Sequence, residues 1–228
     1  MSSTLIAGLI AAGVVLLGII IYVSWRVEKA RRATWARWAA ERGWSYSHER
    51  DRSVSASFQF LDRLRRGNKR YAKDVMRGVW RDREMIAFTY HYETESTDSE
   101  GNRTTTSHWL NVVALKVDQH RHFPELSVVP ENVFRRIGNL FTNNDIDFES
   151  IEFSKQYEVR ADDKKFAYDV CHARMIEYLM ANPRTTFELE GQWIATVDTN
   201  KLKLDRIEPS LDHLDNIVAL LPDYLFRD

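Results

Sequence analysis

Residues 5–23 read LIAGLIAAGVVLLGIIIYV, nineteen consecutive positions without a charge, an amide or a proline. No other stretch limits the fold as strongly. As a helix rising about 1.5 Å per residue it would reach roughly 28 Å, close to the ~30 Å hydrocarbon core of a bilayer. Twelve of the nineteen are Leu, Ile or Val. Each favours insertion by roughly 0.3–0.6 kcal/mol, and nothing polar opposes them. The expectation is a transmembrane anchor over residues 1–25, with Leu5, Leu9, Leu16 and Ile20 facing lipid and Tyr22 and Trp25 at the water interface.

The start Met1-Ser2-Ser3-Thr4 lacks the basic side chain of a secretory leader, and no small-residue cleavage pattern follows the apolar run. Instead Arg26, Lys29, Arg31, Arg32 and Arg37 follow, against Glu28 alone. Cations beside a span stay on the cytoplasmic side. The sequence therefore predicts a single-pass protein of a bacterial inner membrane, with its N-terminus outside. Residues 26–43 would form a juxtamembrane basic helix and residues 44–228 a cytoplasmic domain. Gly43 is placed to stop that helix as its first left-handed residue. The pairs Ala7/Ala11 and Gly8/Ala12 put small residues on one face, which permits a homodimer through the transmembrane helix.

Charge is unevenly distributed. Residues 24–83 hold 17 Lys/Arg against 7 Asp/Glu, while the remainder holds 15 against 26. That polarity suits a basic side turned toward a lipid bilayer with anionic headgroups. The densest basic run, Arg63, Arg65, Arg66, Lys69, Arg70 and Lys73, raises the question of nucleic acid. No reading motif accompanies it and acids dominate downstream, so nucleic acid is disfavoured. Seven Trp, nine Tyr and eleven Phe mark a folded chain. The single Cys171 excludes an intrachain disulfide and falls in an amphipathic pattern, which suggests a buried, inert thiol.

The fold class expected beyond the anchor is α+β, a mainly antiparallel sheet with a long helix and a C-terminal helix. Residues 75–80, 85–92 and 104–117 are rich in aromatic and β-branched side chains and read as a three-stranded meander. Arg81-Asp82-Arg83 forms its first reversal and residues 94–103 a polar loop at its second. Further strands are expected at 126–129, 156–160, 185–189, 192–197 and 202–204. Residues 131–137 suggest a brief helix. Asp145, Asp147 and Glu149 alternate with Ile146 and Phe148 as on a half-exposed strand, and they fail the Gly and Glu positions of a calcium loop. Phe166, Ala167, Val170, Cys171, Met175, Tyr178 and Leu179 recur at helical spacing up to Met180. Residues 209–221 close the chain as a helix with Leu211, Leu214, Val218 and Leu221 inward.

No nucleophile elbow, phosphate loop, dinucleotide glycine pattern, kinase signature or zinc-protease helix is present. His120-Arg121-His122 offers two imidazoles but implies no third metal ligand. No cofactor or metal is expected, and catalytic residues cannot be assigned.

The stretch Ile151-Glu152-Phe153-Ser154-Lys155-Gln156-Tyr157-Glu158-Val159, followed by Asp162-Asp163 and a helix, resembles uncharacterised membrane-anchored bacterial proteins of actinobacterial type. These share an acidic-aromatic stretch before a helix, and an earlier Gly-Trp-x-Tyr, here Gly43-Trp44-Ser45-Tyr46. The resemblance implies location and architecture, not activity. The functional reading is a membrane-held binding or scaffolding domain for a ligand or protein partner. The alternative is a membrane-tethered enzyme whose site is assembled from scattered residues.

Overall fold

The computed structural model describes residues 3–130, 146, 148–183 and 185–227, with the side chains of residues 3–11 left aside. The chain divides into two compact units, Met1–Tyr46 and Ser47–Asp228.

The first unit is one unbroken helix, α1 (Ser3–Ala40), and its cap. Gly43 takes φ +70°, and its N–H donates to the Ala40 carbonyl while Trp44 N–H reaches back to Ala39. These two bonds satisfy the last free carbonyls of the helix, as expected for a glycine in the left-handed region. The turn folds Trp44 back onto Trp38, their rings 5.4 Å apart, with the Arg42 guanidinium over Trp38.

The transmembrane, single-pass reading requires correction. Among the described residues no helix is long and apolar enough to cross a membrane. Helix α1 continues without a break from its apolar stretch through Arg26, Glu28 and Lys29. Leu5 and Leu9 lie outside the described side chains.

The second unit is α+β. Short strand β1 (Ser45–Ser47) sits at the boundary between the units. The strands that follow are β2 (Asn68–Trp80), β3 (Arg83–Thr97), β4 (Arg103–Lys116), β5 (Phe123–Pro130), β6 (Tyr157–Ala161), β7 (Phe187–Gly191) and β8 (Trp193–Thr199). They pair antiparallel in the order β2-β3-β4-β8-β7-β5-β6. The expected meander is present and longer than the sequence suggests. Arg81 and Asp82 both take positive φ in a two-residue turn between Trp80 and Arg83, the backbone twist that tight hairpins favour. The second reversal is confined to residues 98–102, since ladder pairs extend to Thr97–Arg103. There Asp98 accepts from the N–H groups of Glu100 and Asn102.

Alternation sorts the sheet into two faces. One carries Ile86, Phe88, Tyr90, Leu110, Val112, Ala114, Ala195 and Val197, covered by Val54, Phe58, Leu61 and Leu64 from helix α2 (Arg52–Ser57) and the turn after it. The other face packs against helices α3 (Ile151–Gln156), α4 (Lys164–Val170), α5 (Ala173–Ala181) and α6 (Leu204–Leu220). Along α6, Ile207, Leu211, Leu214, Ile217 and Val218 are buried, the spacing of a single apolar stripe.

Four expectations fail locally. Residues 148–151 hold no strand: the Ser150 hydroxyl accepts from Phe153 N–H and opens α3 instead. The expected single helix ending at Met180 is two, because His172 is extended and its Nε2 lies 2.9 Å from the Leu220 carbonyl. No strand forms at 202–204. Helix α6 starts at Leu204, five residues before the Pro209 expected at its beginning. The expected helix at 131–137, and Asp145 and Asp147, lie outside the described residues.

Candidate functional site

The residues singled out on α1 are displayed rather than assembled into a site. Leu16, Ile20, Tyr22 and Trp25 are each more than half exposed. Arg26, Lys29 and Arg37 are exposed, whereas Arg31 and Arg32 both pair with Glu28. Lys29 and Arg31 also lie over the Trp25 and Trp35 rings.

The dense basic run is largely consumed by the fold. Arg63 is buried and donates to the Val197 carbonyl. Arg65 donates to the Gln59 carbonyl and pairs with Asp62, and Lys69 pairs with Glu93 at 2.6 Å. Arg70 donates to the Arg65 carbonyl. These cations tie the α2 segment to the sheet and leave no continuous phosphate-binding stripe. The Cys171 thiol is buried, which pushes its pKa up to about 12 and makes it inert. Among the described residues no cluster of His, Cys, Asp or Glu could hold a metal ion. His120 belongs to a turn whose N–H groups cap Asp118.

The concave feature lies on the helix-covered face, a cavity of about 770 Å³. Its floor is the end of the sheet, with Asn111 on β4 paired in register with Asp198 on β8, and Thr196 two residues before. One wall is the segment after α5, where Thr185 donates to the Asn182 carbonyl and Thr186 bonds Thr196 at 3.0 Å. The opposite wall is the first half of α6, with Arg206, Ser210 and His213. The mouth is set by the link from β8 to α6. Asn200 takes φ +87° and donates to the Trp109 carbonyl, and Leu202 N–H donates to the Thr89 hydroxyl. Pinned at both points, this link presents Lys201 and Lys203 outward beside Arg206.

The lining is polar and cationic. Lys201, Lys203 and Arg206 face one acid, Asp198, among the described lining residues. Helix α6 opens at Lys203 with no side-chain cap, so its first N–H groups and the positive end of its dipole add to the same potential. On the far wall the Tyr178 hydroxyl meets His213 Nδ1 at 2.7 Å, and burial lowers the His213 pKa, keeping the ring neutral. His213 Nε2 is buried without a hydrogen-bond partner. Among the described residues no serine or threonine hydroxyl of the lining is hydrogen-bonded to an imidazole or carboxylate, the arrangement that would activate it as a nucleophile. What the cavity offers is donors, cations and shape.

A second unusual cluster lies across the sheet. Glu125, Glu188 and Glu190 on β5 and β7 gather near Asp62 and Asp162, and burial lifts Glu125 and Glu188 to about 7. Asp62 N–H donates to Glu188, and Arg63 stands close by as countercharge. Sequence reasoning names Asp162 only as part of a motif before a helix and assigns no site role to the cavity or carboxylate residues, which come together through strand register.

No protein-family model matches the chain, and no curated protein does. Among solved structures the chain is similar to the crystal structure of the mycobacterial trehalose monomycolate transport factor A, TtfA, with TM-score 0.56 and 15% identity over 84% of this chain and 95% of that one. At that identity the likeness speaks for the fold alone.

Proposed function

We propose that this protein is a binding module whose sheet-and-helix domain holds a small polar solute in the cavity between β4, β8 and α6. The observation that carries the reading is the cavity itself: about 770 Å³ of concave, polar, cation-rimmed space, within the range of small-molecule sites. We place the module at an anionic lipid surface on the cytoplasmic side of a bacterial membrane. Support for that placement comes from α1, which exposes Val14, Val15, Leu16, Leu17, Ile19, Ile20 and Ile21 together, more contiguous apolar surface than water-facing helices carry.

The experiment is native mass spectrometry on the full chain in nonionic detergent after incubation with a fractionated bacterial metabolite extract. A retained small molecule that is lost in Ser210→Trp, which fills the cavity from the α6 wall, supports the reading. Retention unaffected by Ser210→Trp, or no retained molecule in either protein, overturns it.

A further inference from the structure

We infer that the cavity takes a phosphorylated polyol, with the phosphate at the Lys201–Lys203–Arg206 mouth and the hydroxylated remainder against the polar floor. This rests on the binding-module reading and narrows it to a ligand class. The cations arrive by an unusual route. Lysine at an N-cap and arginine in a first helical turn oppose the helix dipole, where acids and small hydroxylated residues are favoured. Here Lys203 is the N-cap and makes no capping bond, and Arg206 is the third residue of the helix. Neither is ion-paired among the described residues, and Lys201 lies over the Trp109 ring with its ammonium 4.6 Å from the centroid. Asp205 in the same turn favours the dipole, and the three cations at the cavity mouth suit an external anion, which would meet the helix N–H groups and the guanidinium together.

The rest of the cavity suits hydroxyl groups better than a second charge or an apolar chain. Asn111, Asn182, Thr186, Thr196 and Ser210 supply amide and hydroxyl groups around its walls. Asp198 on the floor accepts from hydroxyl groups and repels a second phosphate placed there. Inorganic phosphate fills a small part of about 770 Å³, so affinity should rise when a polyol is attached.

The test is isothermal titration of the full chain in nonionic detergent with inorganic phosphate, D-glucose 6-phosphate and D-glucose. Glucose 6-phosphate is expected to bind more tightly than either fragment. The double variant Lys201→Ala/Arg206→Ala should weaken it at least about tenfold, and added salt should weaken it further. Both side chains are exposed, so folding is preserved and checked by circular dichroism. Glucose binding as well as its phosphate, with loss in Ser210→Trp, overturns the phosphate assignment and leaves the cavity reading standing. Phosphate binding that survives both the double variant and Ser210→Trp lies elsewhere and overturns the inference. Binding of none of the three probes overturns it too, and the extract experiment then decides the cavity reading separately.

Discussion

The Tyr178 hydroxyl meets His213 Nδ1 across 2.7 Å, joining α5 to α6 at the cavity wall with the rings stacked 5.3 Å apart. The Asn216 side chain bonds the same hydroxyl. With the amide donating, the hydroxyl proton goes to Nδ1, which fixes the neutral imidazole with its hydrogen on Nε2, a tautomer assigned from the network. Tyr178→Phe keeps the stacking and strands Nδ1. Leaving a buried acceptor unsatisfied costs about 1–3 kcal/mol, so the urea midpoint should fall with the slope unchanged. A midpoint equal to wild type would show that this bond does not brace the wall.

Glu188 makes the opposite demand on pH. Burial raises its folded pKa to about 7 from an ordinary 4.5, and Glu125 beside it rises likewise. The folded state therefore holds protons that the unfolded chain has released. Stability from these groups is full below the ordinary carboxylate value and is lost as pH climbs toward 7. His213, depressed by burial, works the other way and costs stability as pH falls below about 6.5. Glu188→Gln cannot ionise, so it should flatten the decline between pH 5 and 7.5 by roughly 1–3 kcal/mol, a tenfold change in proton affinity being worth ~1.36 kcal/mol. Parallel stability curves for the two proteins across that range would reject this account.

The meander is legible in the sequence because β2, β3 and β4 alternate bulky and branched residues and the first reversal is only two residues long. The C-terminal helix is legible from Leu211, Leu214 and Val218, although its start is not. Pro209 reads as a beginning, yet the structure tolerates it inside α6 at the sixth position. The break at Cys171-His172 carries no glycine or proline. It is fixed by a contact of His172 with Leu220, 48 residues away, which no local pattern encodes. Helix α3 is six residues long, too short for periodicity to register. The cavity draws on segments from Asn111 to His213, so its one local trace is a pair of cations placed against the dipole of a helix whose start the sequence conceals.

Gly67 shows how closely the α2 segment meets the sheet. It sits at φ +62°, and a Cβ there would run into the Glu93 carbonyl and come within 2.7 Å of the Tyr92 ring. Both the backbone angle and the space demand glycine. Gly67→Ala should cost about 2–4 kcal/mol, combining a left-handed alanine with displaced β3 backbone. Thermal unfolding should drop by several degrees or more. An unchanged midpoint would mean that the turn rearranges freely and does not hold the cover over the sheet.

The placement at a lipid surface depends on α1 alone and can fail independently of the cavity. Leu16 and Ile20 are 59% and 52% exposed one helical turn apart, so an aspartate at each puts two charges into the apolar stripe. The full chain should co-float with phosphatidylglycerol vesicles, and Leu16→Asp/Ile20→Asp should abolish this, since a charge in the acyl region costs about 2.5–3.5 kcal/mol. Arg26, Lys29 and Arg37 test the headgroup contribution. At about 1 kcal/mol each near an anionic surface, their joint replacement by alanine should lower partitioning by about two orders of magnitude on phosphatidylglycerol. On phosphatidylcholine the effect should be small. Equal loss on both lipids would show that the cations act through the helix rather than through headgroups, and no flotation of the wild-type chain would remove the lipid surface from its function.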